Sequence, residues 1–327
     1  MSQFLLWLKL QRGTILGTVS DSSGAVIPGA QVTANAIDTG QTRSAKTGTD
    51  GNYILPSLPL GRYTLAAEAA GFQTLSQGGL ELHVQQQLRV DITMRVGLVS
   101  EKVTITGAPP LVDTVNATRS AVINDQQVLE LPLNGRNFNS LAILTPGVNP
   151  GIPGATLQNF LAGNIAVWAY GQRDTNNEWN IDGATMNIGV YNWNSFNPSV
   201  DAIQEFKVET GMYSAQFGFE SGANINIALK SGTNRVHGAL FDFLRNHVLN
   251  TRNFFSATVP KLRQNLFGGT VGGPIYLPRI YNGKDRTFFF FDYEGLRNTQ
   301  QAVGWLHRNT SSVIPGAIFS EDLTLPA

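Results

Sequence analysis

The chain has 327 residues, of which 14% are charged and none is cysteine, and its formal net charge is zero. This length leaves room for two or three domains with separate cores. A neutral chain does not suggest nucleic-acid binding, which needs a basic face. The lack of cysteine excludes disulfides, thiol catalysis and cysteine-based zinc sites. No run of about 18 apolar residues occurs, so we expect no transmembrane helix.

The first residues form a short apolar stretch, Phe4 to Leu8. It has no basic lead and is too short for the core of a signal peptide. Two interpretations stay open: an irregular or misassigned start, or the remnant of a damaged signal peptide.

Residues 13–97 alternate between apolar and polar side chains, with turn pairs such as Ser23-Gly24 and Asp50-Gly51 between the alternating runs. A period of two with one apolar face is typical of half-buried antiparallel strands. About seven short strands with regular turns predict a small β-sandwich. The residues of its apolar faces are Ile15, Gly17, Val19, Val32, Ala34, Ala36, Tyr63, Leu65, Ala67, Leu88, Val90, Ile92 and Met94.

The turn motifs of this segment resemble those of the carboxypeptidase regulatory-like domain. They are Gly17-Thr18-Val19, Pro28-Gly29-Ala30, Thr49 to Tyr53, Pro59 to Tyr63 and Ala70-Gly71-Phe72. The resemblance implies a transthyretin-like sandwich without catalytic activity. In that family the domain is a common N-terminal extension of bacterial outer-membrane receptors.

Residues 98–123 are predicted to link two domains, because Pro109-Pro110 breaks any strand. The segment before the prolines resembles a TonB box, the stretch that the energising protein TonB captures by strand addition. Strand addition needs an extended segment with alternating side chains, and apolar and polar side chains alternate here. A terminal sandwich strand and a plain linker are the alternatives. The residues of the possible TonB box are Glu101, Lys102, Val103, Thr104, Ile105, Thr106 and Gly107.

Residues 124–232 predict short helices mixed with strands. Asn124 followed by Gln127 indicates a helix N-cap with its return partner, and Pro132 ends that helix. A second short helix is expected to place Phe138, Leu141 and Leu144 on one face.

Four ordered blocks of this segment resemble the plug domain of TonB-dependent receptors, in the Oar-like branch that carries the sandwich extension. They are Leu131–Val148, Gly171–Gly183, Ala202–Phe206 and Tyr213–Asn234. The resemblance implies an α+β plug that closes the lumen of a wide barrel. The charged residues Arg136, Arg173 and Asp182 are then either in buried ion pairs between plug and barrel, which hold the plug in place, or ligand contacts. The signature residues are Asn134, Gly135, Arg136, Asn137, Arg173, Asp182 and Gly183.

Residues 233–327 resemble the first strands of an Oar-like outer-membrane β-barrel. Phe241 and Phe243 alternate with Leu240, Asp242 and Leu244, and a run of four phenylalanines, 288–291, begins another strand. Alternating segments of about ten residues with aromatic belts are typical of outer-membrane strands. Only three or four such strands fit, so the sequence predicts an incomplete barrel and a C-terminally truncated chain. Glycines 268–273 are interpreted as a bend in a strand.

The whole chain is therefore expected to be mostly β, with no catalytic residue, cofactor or metal site. Its histidines, His83, His237, His247 and His307, show no metal-ligand spacing. The resemblance implies a receptor in the bacterial outer membrane with its sandwich in the periplasm, and it implies TonB, an unknown solute and membrane lipid as partners. A secreted or periplasmic binding or adhesion module is the second hypothesis, and an enzyme-accessory protein the third.

Overall fold

The computed structural model describes residues 12–97, 102–106, 118–151, 167–188, 193–194, 197–213, 221–252, 258–300, 303–305 and 320–322. None of the helices within these ranges has the length and apolar character that a membrane-spanning helix needs. Two compact units divide the chain: residues 1–237 with 271–291, and residues 238–270 with 292–327. The fold class is mostly β, as predicted.

The described residues of the N-terminal part of the first unit form nine strands. They are β1 (Gly13–Asp21), β2 (Gln31–Ala36), β3 (Thr42–Lys46), β4 (Asn52–Leu58), β5 (Gly61–Glu68), β6 (Thr74–Leu82), β7 (Gln87–Arg89), β8 (Ile92–Met94) and β9 (Lys102–Thr106). One sheet has the order β4-β1-β7, with β8 also paired to β1, and the other has the order β3-β2-β5-β6-β9. The predicted sandwich is confirmed, and β9 extends it beyond the predicted boundary at residue 97.

The two sheets enclose one apolar core. Along β1 the burial alternates residue by residue: Ile15, Gly17 and Val19 are buried, and Leu16 and Thr18 between them are partly exposed. This alternation removes one face of β1 from water, and the burial of apolar surface is the main favourable term in folding. The phenol of Tyr53 donates a 2.7 Å hydrogen bond to the carbonyl of Val90 inside this core. Every residue that the sequence placed on the apolar faces is buried.

The next part of the first unit holds a further sheet with a second apolar core. Its elements are β10 (Arg119–Asn124), α1 (Asp125–Glu130), β11 (Val148–Pro150), β12 (Val167–Ala169), β13 (Glu178–Ile181), β14 (Ala184–Thr185), β15 (Asn187–Ile188), β16 (Trp193–Asn194), β17 (Ile203–Gly211) and β18 (Asn224–Leu229). Short 3₁₀ helices span Asn134–Arg136, Phe138–Leu144, Asp174–Asn176 and Val200–Ala202. The main sheet has the order β10-β17-β18-β13-β14.

The predicted helix start at Asn124 is confirmed. The Asn124 side chain accepts a 2.9 Å hydrogen bond from the Gln127 amide, and the Gln127 side chain accepts one from the Asn124 amide. This capping box satisfies two amide donors that the first helical turn leaves without partners. The helix ends at Glu130, just before Pro132.

The second predicted helix forms where it was expected, but only two of the three residues predicted for its apolar face are buried. Phe138 and Leu141 are buried, whereas Leu144 is 56% exposed. Leu144 is the last residue of the helix, and the chain then turns through Pro146-Gly147, where Gly147 has a φ of 86°. Ala142, and not Leu144, is the third buried apolar residue of this helix.

The region predicted to begin a barrel contains, within the described residues, three long strands and four short ones. They are β19 (His237–Asn246), β20 (Leu262–Pro274), β21 (Tyr276–Leu277), β22 (Tyr281–Asn282), β23 (Phe288–Gln300), β24 (Val303–Trp305) and β25 (Ser320–Asp322), with a 3₁₀ helix at His247–Leu249. A three-stranded sheet has the order β19-β20-β23. Gly268 lies inside β20, where an added Cβ would overlap the Tyr293 carbonyl and the Phe241 ring. The glycine therefore permits close approach of strands.

Candidate functional site

The signature residues 134–137 form a tight turn that directs one arginine inward. Gly135 has a φ of 68° and Arg136 a φ of 52°, a left-handed conformation that glycine adopts without strain. The next residue, Asn137, caps the following helix by accepting a 3.0 Å hydrogen bond from the Asn139 amide. The backbone of residues 134–137 therefore serves to place the Arg136 side chain.

Arg136 forms an ion pair inside its own domain. Its guanidinium donates to Asp201 at 2.5 Å, and both side chains are largely buried, at 15% and 12% exposure. Asp201 lies in the short 3₁₀ helix Val200–Ala202, which the Ser199 hydroxyl caps. Removing one partner of a buried ion pair leaves an uncompensated charge. The contact therefore ties the signature turn to the start of β17.

Asp182 and Gly183 form the two-residue turn of the β13–β14 hairpin, in which Ile181 pairs with Ala184. Both have positive φ, 45° and 85°, as the hairpin turn of this length requires. The Asp182 carboxylate also accepts a 3.2 Å hydrogen bond from the Leu229 amide. Arg173, by contrast, is exposed and precedes the 3₁₀ helix Asp174–Asn176. The signature residues thus lie in separate turns.

One face of the main sheet carries a buried polar network that the sequence patterns did not reveal. Lys207 and Glu209 form a 2.9 Å ion pair with both side chains nearly inaccessible. Glu209 also accepts from Asn224 at 2.9 Å, and Asn224 accepts from Asn180 at 3.1 Å. The alternating residues Phe206, Val208, Ile225 and Ile227 fill the apolar core on the opposite face. The alternation of charged and apolar residues at 205–209 could have indicated a strand with one polar face. Such a face is normally expected to be exposed to water, so its burial could not be inferred.

The sandwich contacts this polar face through the turn between β6 and β7. The His83 imidazole Nδ1 lies 2.8 Å from one carboxylate oxygen of Glu205, and the Val84 amide donates to the other oxygen. Asn226 donates a 3.2 Å hydrogen bond to the side chain of Gln85. Glu205 is only 5% exposed and Val84 is fully buried. Three consecutive residues of the sandwich therefore bind two neighbouring strands of the second domain.

The charge state of this contact depends on His83. The hydrogen bond to Glu205 raises the pKa of the imidazole, and the negative charges of Glu205 and Glu81 act in the same direction. Burial and the positive charge of Lys207 oppose them. A protonated imidazole donating to a carboxylate is a charge-assisted hydrogen bond, which is stronger than a neutral one.

Residues 102–106 of the possible TonB box form β9 and lie parallel to β6. The register runs from Thr74 opposite Lys102 to Gly78 opposite Thr106. Glu101 and Gly107 lie outside the described residues. The backbone of the segment is thus extended, as strand addition requires, and it is also the terminal strand of a sandwich sheet.

The sheet of the second unit has exposed apolar and aromatic side chains. Leu240 is 93% exposed and Leu244 68%. The Phe267 and Tyr293 rings lie 6.4 Å apart, and the Arg297 guanidinium lies 5.7 Å from the Phe267 ring centre. Within the described part of the chain, no group of three or more histidine, aspartate and glutamate residues is arranged to hold a metal ion.

Comparison with known proteins finds a domain family that matches each end of the chain. Residues 14–95 match the carboxypeptidase regulatory-like domain, and residues 228–317 match an outer membrane beta barrel domain. Over 298 residues, 86% of this chain, the sequence is 30% identical to the TonB-dependent transporter Oar of Myxococcus xanthus. The chain is thus similar in sequence to one TonB-dependent transporter over most of its own length. It spans about a quarter of the length of Oar, 26%.

Two solved structures of outer-membrane proteins match part of the chain at low overall similarity. The siderophore receptor PirA of Acinetobacter baumannii matches at 21% identity and a TM-score of 0.40, over 58% of this chain and 26% of its own. The outer membrane transporter YddB of Escherichia coli matches at 14% identity and a TM-score of 0.39, over 56% and 30%.

The barrel-domain match and the TonB-dependent relative place the protein in the bacterial outer membrane. The curated relative is a transporter and not an enzyme, which agrees at a coarse level with the expectation of a non-catalytic chain.

Proposed function

We propose that this chain is the N-terminal part of a TonB-dependent receptor that takes up a solute across the outer membrane. The observation that carries the proposal is the 30% identity to a TonB-dependent transporter over 298 residues, which include the sandwich, the second domain and the first barrel-like strands. The identity of the solute is left open, because ligand contacts in such receptors come largely from barrel loops beyond these strands.

In this proposal residues 124–232 are the plug. A plug inside a wide barrel faces polar walls and water and must hold its shape without a large apolar surface. The Arg136–Asp201 pair and the Lys207–Glu209–Asn224 network supply such internal polar ties. The signature residues at 134–137, 173 and 182–183 are then structural parts of the plug rather than ligand contacts.

The sandwich is proposed to stand in the periplasm beneath the plug. The turn at residues 83–85 supports this arrangement, because it contacts the plug sheet through Glu205 and Asn226. Residues 101–107 are proposed to be the TonB box, and the extended backbone of residues 102–106 supports that role.

Two strains test the transport function. One lacks the complete reading frame that contains this sequence, and the other lacks TonB. If the proposal holds, both strains fail to deplete the same solute from a complex medium, as measured by mass spectrometry, and a plasmid copy restores uptake only in the presence of TonB. Normal depletion of every solute by the first strain would contradict it.

A peptide of residues 98–123 tests the TonB box separately. Saturable binding of this peptide to the periplasmic C-terminal domain of TonB is the expected result. No detectable binding at high peptide concentration would remove the TonB-box assignment.

A further inference from the structure

The possible TonB box already has one partner within the chain. Strand β9 pairs with β6 over five residues, so it is the last strand of the sheet β3-β2-β5-β6-β9. Among the described strands, none pairs with the outer edge of β9. A strand in this position presents a row of backbone donors and acceptors to an added strand.

The two edges of this sheet differ in how they are protected. At the far edge, β3 carries the exposed charges Arg43 and Lys46, a pattern that discourages strand addition. Strand β9 has the sequence Lys-Val-Thr-Ile-Thr, with four β-branched residues in succession and no proline. β-branched residues favour the extended conformation. The edge formed by β9 is therefore the one suited to accept another strand.

We infer that TonB adds its strand to the outer edge of β9 while β9 stays paired to β6, so that TonB extends the sandwich sheet. This inference rests on the proposed function, in which residues 101–107 are the TonB box. Because the five residues are already extended, binding does not have to order them. It also leaves the hydrogen bonds between β6 and β9 intact.

The arrangement connects the bound partner to the plug through one strand. Strand β6 holds β9 along Thr74–Gly78 and ends at Leu82. The next residue is His83, which contacts Glu205 of plug strand β17. A pull on β9 would therefore act on the sandwich and, through the turn at 83–85, on the plug sheet.

A disulfide lock tests whether β9 must leave the sandwich. The chain has no cysteine, so Ser76→Cys with Thr104→Cys, which are opposite each other in the register, introduces the only thiol pair. The full chain is titrated with the periplasmic C-terminal domain of TonB by calorimetry, oxidised and reduced. The matched control is Thr33→Cys with Ser44→Cys, a registered pair between β2 and β3 near the other edge.

The expected result is that the oxidised 76–104 variant binds TonB with a Kd within about threefold of the reduced form and of the control. Loss of binding by more than about tenfold on oxidation of that variant alone would overturn the inference and leave the TonB box intact. Failure of the 76–104 pair to oxidise, under conditions in which the 33–44 control oxidises, would contradict the pairing of β9 with β6 and would also overturn the inference. If neither form binds and the 98–123 peptide does not bind either, the TonB-box assignment fails, and this inference fails with it.

Hydrogen exchange gives an independent reading on the unmodified chain. On addition of the TonB domain, amides of residues 102–106 should exchange more slowly, and amides of residues 74–78 should keep their protection. Faster exchange at residues 74–78 would show that β9 is stripped from β6 on binding and would contradict the inference.

Discussion

The imidazole of His83 and the carboxylate of Glu205 lie 2.8 Å apart, although 122 residues separate them in the sequence. His83 belongs to the turn after sandwich strand β6, and Glu205 belongs to strand β17, which lies between β10 and β18 in the sheet of the second domain. The pair therefore joins two domains with separate apolar cores. Because Glu205 also accepts from the Val84 amide, one buried carboxylate holds the turn at two points.

Glu205→Ala should weaken the attachment of the sandwich to the plug. The change removes two hydrogen bonds to a buried charge, and such bonds contribute about 1.5–3 kcal/mol each. We expect hydrogen exchange of the backbone amides of residues 83–85 to become markedly faster in the full chain. Glu68→Gln, on an exposed position of β5, is the control and should leave the rate unchanged. Equal rates for Glu205→Ala and the unmodified chain would contradict the role of this pair.

The same pair should make the stability of the first unit depend on pH. The folded-state pKa of His83 is raised above 6.5, so the stabilisation is fully present below the unfolded pKa and is lost as the pH rises through the folded pKa. Denaturant unfolding of the full chain should show that the free energy of unfolding decreases as the pH rises above 6. The decrease should be smaller in His83→Gln. His247→Gln, which alters a histidine of the other unit, should keep the full fall. The expectation fails if His83→Gln and the unmodified chain have the same pH dependence.

Arg136→Ala should destabilise the plug by about 3–5 kcal/mol, because it leaves the Asp201 carboxylate buried without its ion-pair partner. The double variant Arg136→Ala with Asp201→Ala should lose less than the sum of the two single changes. Arg173→Ala changes an exposed arginine of the same signature set and should stay within about 0.5 kcal/mol of the unmodified chain. Chemical unfolding measures all four. Similar losses for the two arginine changes would show that the pair contributes nothing.

Gly183→Ala should cost about 1–2 kcal/mol, because residue 183 has a φ of 85° and a Cβ is disfavoured in that conformation. Gly78→Ala is the control, since residue 78 has open space around its Cβ position and no positive φ. Thermal unfolding compares the two. An equal Tm for both variants would mean that the hairpin turn at 182–183 does not require glycine.

Features that depend on local patterns could be predicted from the sequence. The alternation around Ile15 and Val19 predicted buried strand faces, and Asn124 with Gln127 predicted a capped helix. Both follow from residues a few positions apart. The exposure of Leu144 was missed because helical spacing alone does not show where a chain turns away from its core.

Features that depend on distant residues could not be predicted. The parallel pairing of β9 with β6 depends on a return of the chain over some 30 residues, and alternation alone fits a linker, a box or a strand equally well. From the sequence alone, Glu205 and Lys207 would be assigned to a solvent-exposed strand face. Their burial depends on Val84, Asn224 and neighbouring residues that are distant in the sequence. Arg136 was expected to meet a barrel or a ligand, and its partner, Asp201, lies 65 residues away.

The central claim is that this chain is a TonB-dependent receptor segment whose box is strand β9. Calorimetric titration of the full chain with the TonB periplasmic domain tests it most directly, beside a variant in which residues 102–106 are replaced by alternating Gly and Ser. The account predicts saturable one-to-one binding by the unmodified chain and none by the variant. No binding by either chain, or equal binding by both, would contradict it.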